Sequence, residues 1–244
     1  MFTKMSINNN TYTINNPVRF NPIGEFHLNT IQRVFNFAYD MSFGKSGEHR
    51  DHRSGGTHRR RNGEIFANTF QGKLAECAIY NYFYNSCDIT EPDFDTYGLG
   101  EWDNADFYIN NYNVSIKSTK SFGNLLLLEN KDWDENGVYL PNDEAYDFTF
   151  LVRLNPYCED IMRSNRILYS DDISANELEK LIIDNSWVYD IPGYITLDDL
   201  KYIIQNDYVI PQGAMLNGRT RMDATNYYVQ SGDMHLVNNF IGEL

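Results

Sequence analysis

Hydrophobic residues recur at helical spacing in two segments of the first third of the chain. The first segment runs from Phe26 to Phe43, and its apolar stripe consists of Ile31, Val34, Phe35 and Ala38. The second runs from Glu64 to Tyr84 and is apolar on nearly every face, with one stripe formed by Phe66, Phe70, Leu74, Cys77 and Ala78. These spacings predict two helices, and the second helix is expected to be deeply packed.

Segments rich in β-forming residues follow the second helix. Residues 105–120 predict a β-hairpin with a polar turn at Asn110–Asn113. Tyr146–Leu154 has the clearest strand pattern in the chain, and Asn226–Gln230 predicts another strand. The chain therefore combines helices with strands and is not expected to be all-α or all-β.

The remaining segments divide into two further helices and two irregular stretches. Ser174–Ile183 and Leu197–Ile204 have helical patterns, and Thr196 is placed to cap the second of these helices. Residues 1–25 are rich in Asn and predict an irregular arm. Residues 44–63 are rich in Gly and predict a long loop, and loops of that length usually carry function or are disordered.

Composition indicates a globular intracellular protein. Of 244 residues, 42% are hydrophobic and 15% aromatic, enough for a substantial buried core. The three cysteines form no Cys-x-x-Cys pair, which favours a reducing compartment, and no apolar run reaches the length of a membrane span. We therefore expect a cytoplasmic protein with a single domain over residues 1–244. Its core would cover about 64–155, with an arm and basic loop at 1–63 and a C-terminal part at 156–244.

Charge is distributed unevenly along the acidic chain. The net charge is −14, which argues against nonspecific affinity for nucleic acid. From Lys45 to Arg61, however, six basic residues outnumber two acidic ones, so this segment carries +4 and the rest of the chain −18. A basic segment on an acidic body is compatible with a focused DNA contact, although a solvated basic loop would look the same.

The predicted hairpin carries the residues with the clearest chemical meaning. Asp106 opens its first arm, and Lys117 lies near the end of its second arm. Because side chains alternate along a strand, Ser115 and Lys117 share one face. Glu76 lies on the preceding predicted helix. A carboxylate on a helix, a carboxylate on a strand and a lysine on the next strand suggest cleavage of a phosphodiester with Mg²⁺, which prefers oxygen ligands.

This arrangement resembles the PD-(D/E)xK nuclease superfamily, which includes most type II restriction endonucleases. The resemblance runs from Gln71 to Leu154, about a third of the chain. It implies an α/β fold with a central mixed β-sheet flanked by helices. It also implies Mg²⁺ at Asp106 and a water positioned by Lys117.

The chain departs from the family pattern at two positions. Ser115 stands where the family usually has Asp or Glu, and Ala105 stands where it usually has Pro. Another carboxylate, from Glu76 or Glu129, would then have to complete the metal site. Asp93, in the only nearby Pro-Asp pair, and Asp103 remain alternatives to Asp106 as the metal-binding aspartate.

The sequence thus predicts a Mg²⁺-dependent DNA endonuclease, acting as a homodimer on a specific duplex sequence like a type II restriction enzyme, with RNA not excluded as substrate. Glu76, Asp106, Ser115 and Lys117 are the predicted catalytic residues. The predicted DNA-binding residues are Arg50, Arg53, Arg59, Arg60, Arg61, Lys120, Arg219 and Arg221. Two alternatives are a catalytically degenerate DNA-binding or effector subunit of the same fold, suggested by Ser115, and an acidic DNA-mimicking inhibitor, suggested by the net charge.

Overall fold

The computed structural model of the protein describes residues 1–44, 60–95 and 107–243. Its helices are α1 (Leu28–Ser42), α2 (Asn62–Phe83), α3 (Cys158–Ser164), α4 (Ala175–Ile183), α5 (Leu197–Gln205) and α6 (Phe240–Glu243). Its strands are β1 (Ser6–Asn8), β2 (Thr11–Thr13), β3 (Gly24–Glu25), β4 (Phe107–Ile109), β5 (Tyr112–Lys120), β6 (Leu125–Glu129), β7 (Val138–Tyr139), β8 (Glu144–Ala145), β9 (Phe148–Asn155), β10 (Val188–Thr196), β11 (Val209–Ile210), β12 (Met215–Leu216), β13 (Thr220–Arg221) and β14 (Asn226–Gln230).

A five-stranded sheet in the order β3–β10–β9–β5–β4 organises the fold. β5 and β9 pair in parallel, from Val114 opposite Phe148 to Lys120 opposite Leu154, and the other pairs in this sheet are antiparallel. The sheet is therefore mixed. Together with the helices packed on it, it confirms the predicted mixed α/β class with a mixed β-sheet.

The two faces of this sheet pack on two different hydrophobic cores. In β9, Phe150 and Val152 belong to a first core shared with α1, α2, α3 and α4. Leu151 belongs to a second core, shared with α5 and the three-stranded sheet β11–β14–β6. This alternation follows from the period of two along a strand, and it explains why almost the whole of β9 is buried.

Helix α2 lies at the centre of the first core, as its apolar sequence predicts. It packs against α1, α3, β5 and β9. Phe66, Phe70 and Leu74 are fully buried along it. Even a polar residue, Gln71, is only 1% exposed, and its side-chain oxygen accepts a hydrogen bond from the Glu159 N–H at the start of α3.

The predicted hairpin is present as β4 and β5. Its turn is tighter than expected, because Asn110 and Asn111 alone join the strands with φ angles of 48° and 68°. Positive φ at both central residues is typical of a two-residue hairpin turn, and Asn tolerates this conformation better than most residues. Phe107 pairs with Val114, which sets the register of the hairpin.

The prediction of an irregular arm at residues 1–25 is wrong in part, because β1, β2 and β3 lie there. β1 and β2 pair with each other, and β2 continues in parallel into β12. Buried Gln230 holds the next residues, since its side-chain oxygen accepts from the N–H groups of Asn15 at 2.8 Å and Asn16 at 3.1 Å.

No helix within the described part of the chain is both long enough and apolar enough to cross a membrane.

Candidate functional site

A cleft of about 220 Å³ lies between α2 and the edge of the central sheet. Val114 and Ile116 of β5 form part of its wall, and Asn142 and Tyr146 close another side. The charged groups among its described lining residues are one ammonium and three carboxylates, and they belong to Lys73, Glu76, Glu91 and Asp93. Ser115 adds a hydroxyl from β5. The cleft therefore brings the helix and the hairpin of the predicted constellation together.

The segment after α2 brings two of these carboxylates to the cleft. Ile89 forms a β-bridge with Ile109, and the N–H of Thr90 donates to the carbonyl of Tyr108 at 3.0 Å. The Thr90 hydroxyl accepts in return from the Tyr108 N–H at 3.1 Å. These contacts fix the chain beside β4, so that Glu91 and Asp93 reach the cleft.

Lys73 and Glu76 form an ion pair on the cleft side of α2. Lys73 Nζ lies 2.6 Å from a Glu76 side-chain oxygen, and the two residues are three apart on the helix. The Lys73 side chain is 7% exposed, whereas that of Glu76 is 30% exposed. Glu76 is thus accessible from the cleft, and a largely buried ammonium lies beside it.

Two aromatic rings hold the Lys73 ammonium from other directions. Its Nζ lies 5.0 Å from the centre of the Phe37 ring and 5.8 Å from that of Phe94. The Arg33 guanidinium lies 4.4 Å from the centre of the same Phe94 ring. Such cation–π contacts stabilise a partly desolvated cation, so this end of the cleft carries positive charge as well as carboxylates.

Ser115 is the site residue contributed by β5. It is 7% exposed and lies between two residues that pack on the first core. Across the cleft, the Asn142 side-chain NH₂ donates to the Tyr146 hydroxyl at 3.0 Å. Ser115 thus lines the cleft between the apolar Val114 and Ile116, and its role in the predicted motif stays a prediction.

The predicted metal-binding Asp106 and its alternative Asp103 lie outside the described residues. Phe107, which follows Asp106 directly in the chain, lines the cleft. The remaining alternative, Asp93, is described and also lines the cleft. One oxygen of its carboxylate accepts from the Asp95 N–H at 2.8 Å.

Lys117 is not among the described residues that line this cleft. It pairs in register with Leu151, which belongs to the second core. Its Nζ lies 5.8 Å from the centre of the Tyr139 ring. Burial lowers the pKa of Lys117 below its usual range, and the nearby Asp132 carboxylate opposes this shift.

Glu129 lies at the end of β6, in the three-stranded sheet rather than the central one. One of its side-chain oxygens is 3.6 Å from Lys131 Nζ. The described lining of the cleft does not include Glu129, so the structure does not bring it together with Glu76.

The predicted DNA-binding residues are spread over several places. Arg50, Arg53 and Arg59 lie outside the described residues. Arg60 is half-buried, and Arg61 is exposed at the start of α2, where its guanidinium pairs with Asp171. This pair joins the start of α2 to the segment before α4.

Three further predicted contacts lie elsewhere on the surface. Lys120 Nζ pairs with Asp160 at 2.7 Å and lines a second cleft, of about 600 Å³, beside α3. Arg219 and Arg221 are exposed on the hairpin formed by β12 and β13. None of these three is among the described residues that line the first cleft.

Magnesium fits the donor chemistry of the cleft. Glu76, Glu91, Asp93 and Ser115 offer only oxygen ligands, which Mg²⁺ prefers. Among residues 1–44, 60–95 and 107–243, however, no group of three or more His, Cys, Asp or Glu side chains is placed to hold a metal ion. A magnesium site here would require a further carboxylate, and Asp106 is the one predicted by the sequence motif.

Two charged residues among the described lining of the cleft were not predicted from the sequence. Lys73 lies three residues before Glu76, and residues three apart are neighbours on a helix surface, so the helical pattern contained this signal. Glu91 lies on an irregular segment and is brought to the cleft by the contacts of Thr90, for which no local pattern exists.

No family model, curated protein or solved structure matches this chain significantly.

Proposed function

We propose that the protein is a Mg²⁺-dependent endonuclease that hydrolyses phosphodiester bonds of DNA. One observation supports this most directly. The cleft between α2 and the hairpin is lined by Glu76, by Ser115 and by Phe107, the residue that follows Asp106. The helix and both strands named by the motif thus border one cavity, as a shared catalytic site requires.

In this proposal Glu76 and Asp106 bind the metal ion, with Asp93 as the alternative aspartate. Bound Mg²⁺ would supply charge neutralisation at the phosphate and a more acidic water. Ser115 takes the position of the usual second acid and contributes a neutral hydroxyl. The motif predicts that Lys117 is the catalytic lysine. Glu129 stays a predicted metal ligand, although it is not among the described residues that line the cleft.

The substrate and assembly follow from the same proposal. A negative body repels DNA at long range, so binding would depend on local basic residues and weaken steeply as salt increases. Cutting both strands of a duplex favours a two-fold homodimer, because a symmetric site matches a symmetric protein. We propose duplex DNA of a defined sequence as the substrate.

The test is cleavage of supercoiled plasmid DNA with Mg²⁺, compared with EDTA. Glu76→Gln should slow cleavage by about 100-fold or more, the size typical of losing one charge-stabilising group. Glu159→Gln is the matched control, since Glu159 also forms a helical ion pair and its side chain is similarly exposed at 29%. Cleavage that persists in EDTA, or equal rates for the two variants, would contradict the proposal.

A catalytically degenerate DNA-binding subunit is the second candidate. It is favoured by Ser115 at the acid position and by the ion pair that already neutralises Glu76. This alternative expects salt-sensitive binding to duplex DNA in a gel-shift assay, together with no cleavage under any divalent cation.

A further inference from the structure

The cleft has a lysine of its own, and it lies on the helix rather than on the strand. Lys73 lines the cavity together with Glu76 and Ser115. Sequence reasoning assigned the phosphate-facing ammonium to the hairpin. Two lysines, Lys73 on α2 and Lys117 on β5, are therefore candidates for the contact with the substrate phosphate.

The burial of Lys73 is unusual for its residue type. Lysine is almost never fully buried unless its charge is paired, and Lys73 is 6% exposed. Its ammonium is held by Glu76 at 2.6 Å and by the rings of Phe37 and Phe94. These contacts fix the cation in place before any substrate arrives, which reduces the entropy lost on binding.

An ammonium has three N–H donors and no acceptor. The carboxylate of Glu76 takes one donor, and the aromatic faces attract the charge without accepting a strong hydrogen bond. A phosphodiester oxygen entering the cleft would therefore meet a prepositioned cation that can still donate. Because the surroundings are partly desolvated, that contact would be stronger than one made in water.

Lys117 has different neighbours. It pairs in register with Leu151 of the second core, and its ammonium lies by the Tyr139 ring. Residues paired across adjacent strands point to the same face of a sheet. Lys117 is thus directed toward the second core. Ser115 shares this face of β5 and lines the cleft, but Lys117 is not among the described lining residues, whereas Lys73 of α2 is.

We propose that Lys73, rather than Lys117, is the lysine that contacts the substrate phosphate in the cleft. This inference rests on the proposed function, since it names the phosphate-binding cation of the same site.

The first experiment compares Lys73→Met, Lys73→Arg and Lys117→Met in single-turnover cleavage of duplex DNA. Lys201→Met is the matched control, because Lys201 also pairs with a carboxylate three residues away on a helix, at 3.5 Å. Lys73→Met should slow cleavage by about 100-fold, Lys73→Arg should recover part of the rate, and Lys201→Met should cleave normally. If Lys73 only stabilises α2, Lys73→Met should instead change the thermal stability and leave the cleavage rate of the folded protein unchanged.

The second experiment needs neither cleavage nor a variant. Amide NMR signals of the wild-type protein are followed as the dinucleotide thymidylyl-thymidine is added without metal. We expect the largest shifts at Gly72 and Lys73, with little change at Lys117 and Tyr139. These shifts test the assignment of Lys73 as the phosphate-binding lysine even if Lys73→Met does not fold or the wild-type protein does not cut DNA.

The outcomes separate the inference from the proposed function. If the wild-type protein shows no metal-dependent cleavage, the proposed nuclease activity is wrong. The dinucleotide titration would still show which lysine lies beside the bound phosphate. The assignment of Lys73 would be overturned by normal cleavage in folded Lys73→Met, by a loss of cleavage confined to Lys117→Met, or by dinucleotide-induced shifts centred on Lys117. None of these results would contradict the proposed nuclease activity.

Discussion

Arg153 and Asp190 form a two-pronged ion pair across the adjacent strands β9 and β10. Arg153 Nε lies 2.8 Å from one Asp190 oxygen, and Nη2 lies 2.6 Å from the other. The guanidinium is fully buried, and its remaining N–H groups donate to the carbonyls of Val18 at 2.7 Å and Arg19 at 3.2 Å and to the side-chain oxygen of Asn124 at 3.3 Å. One side chain therefore ties the central sheet to the N-terminal segment.

Replacing Arg153 with Met should destabilise the protein strongly. It leaves the Asp190 charge buried without its partner, and breaking a buried pair in this way typically costs about 3–5 kcal/mol. Urea unfolding measures the change, and Arg163→Met is the control. Arg163 pairs with Glu159 at the surface with 52% of its side chain exposed, and such pairs contribute about 1 kcal/mol or less. Equal losses for the two variants would contradict the structural role of Arg153.

The elements that local pattern predicts well are those with strong periodicity and their own end signals. Strand β14 matches its prediction at both ends, Asn226 and Gln230. Helix α5 begins where Thr196 was expected to cap it, and the Thr196 hydroxyl accepts from the Asp199 N–H at 3.1 Å. For α5 the deciding interaction lies within three residues of the chain, whereas β14 is recognised by its β-forming residues although it pairs with the distant strand β6.

Strand β10 shows what local pattern misses. It is central and almost wholly buried, but it contains Asp190, Pro192 and Gly193, which argue against a central strand. The register with β9 shifts between Asp190 and Gly193, and this irregularity accommodates the proline. The charge of Asp190 is compensated by Arg153, which lies 37 residues earlier. Only the tertiary structure supplies that partner.

The candidate site was predictable to a similar extent. Glu76 and Ser115 were selected from the motif, and both line the cleft. The lysine is harder, because a motif read along one strand assigns Lys117 without information on what packs against each face. Of the two lysines, only Lys73 is among the described residues that line the cleft, and the packing that places it there is not visible in the local sequence.

Gly72 offers a way to close the cleft without disturbing the fold. It lies on α2 and lines the cleft, and a Cβ atom added there would meet no atom within 4 Å outside the neighbouring helix backbone. Gly72→Ala should stabilise the protein by about 0.5–1 kcal/mol through helix propensity, as measured by thermal unfolding. Gly72→Leu should fold equally well and fill the cavity, which would block cleavage.

A second glycine on the same helix is the control for this prediction. A side chain at Gly63 would collide with the carbonyl oxygens of Ile167 and Leu168. Gly63→Ala should therefore lower the melting temperature while Gly72→Ala raises it. If Gly72→Leu retains full cleavage, the cleft is not where the substrate binds.

Lys117 should make the stability of the protein depend on alkaline pH. Burial lowers its pKa in the folded state below the ordinary value of 10.5, despite the opposing charge of Asp132. The unfolded state then binds more protons than the folded state between these two pKa values, so stability rises with pH across that window. Lys117→Met removes this contribution. Urea unfolding of both proteins should show that the free energy of unfolding of wild type increases relative to that of the variant as pH approaches 10.5.

The exposed Lys201 provides the reference for that measurement. Its side chain is 35% exposed, and Lys201→Met should keep the wild-type pH dependence. A Lys117→Met profile parallel to that of wild type would show that the Lys117 ammonium is hydrated, and it would weaken the placement of Lys117 toward the second core.

Thiol labelling should report the packing of α2 directly. Burial raises the pKa of Cys77 to about 12, and the neighbouring Glu76 charge adds to the shift. Burial also raises the pKa of Cys158 well above its ordinary value. Burial raises the pKa of Cys87 as well, but Cys87 is only half-buried, so its thiol can be reached by a reagent. Because the thiolate is the reactive form, Ellman's reagent in mildly alkaline buffer should label only Cys87 in the native protein and all three thiols in urea. Cys87→Ser should then show almost no native labelling, and fast labelling of Cys77 in that variant would mean that α2 is not packed in the first core as described.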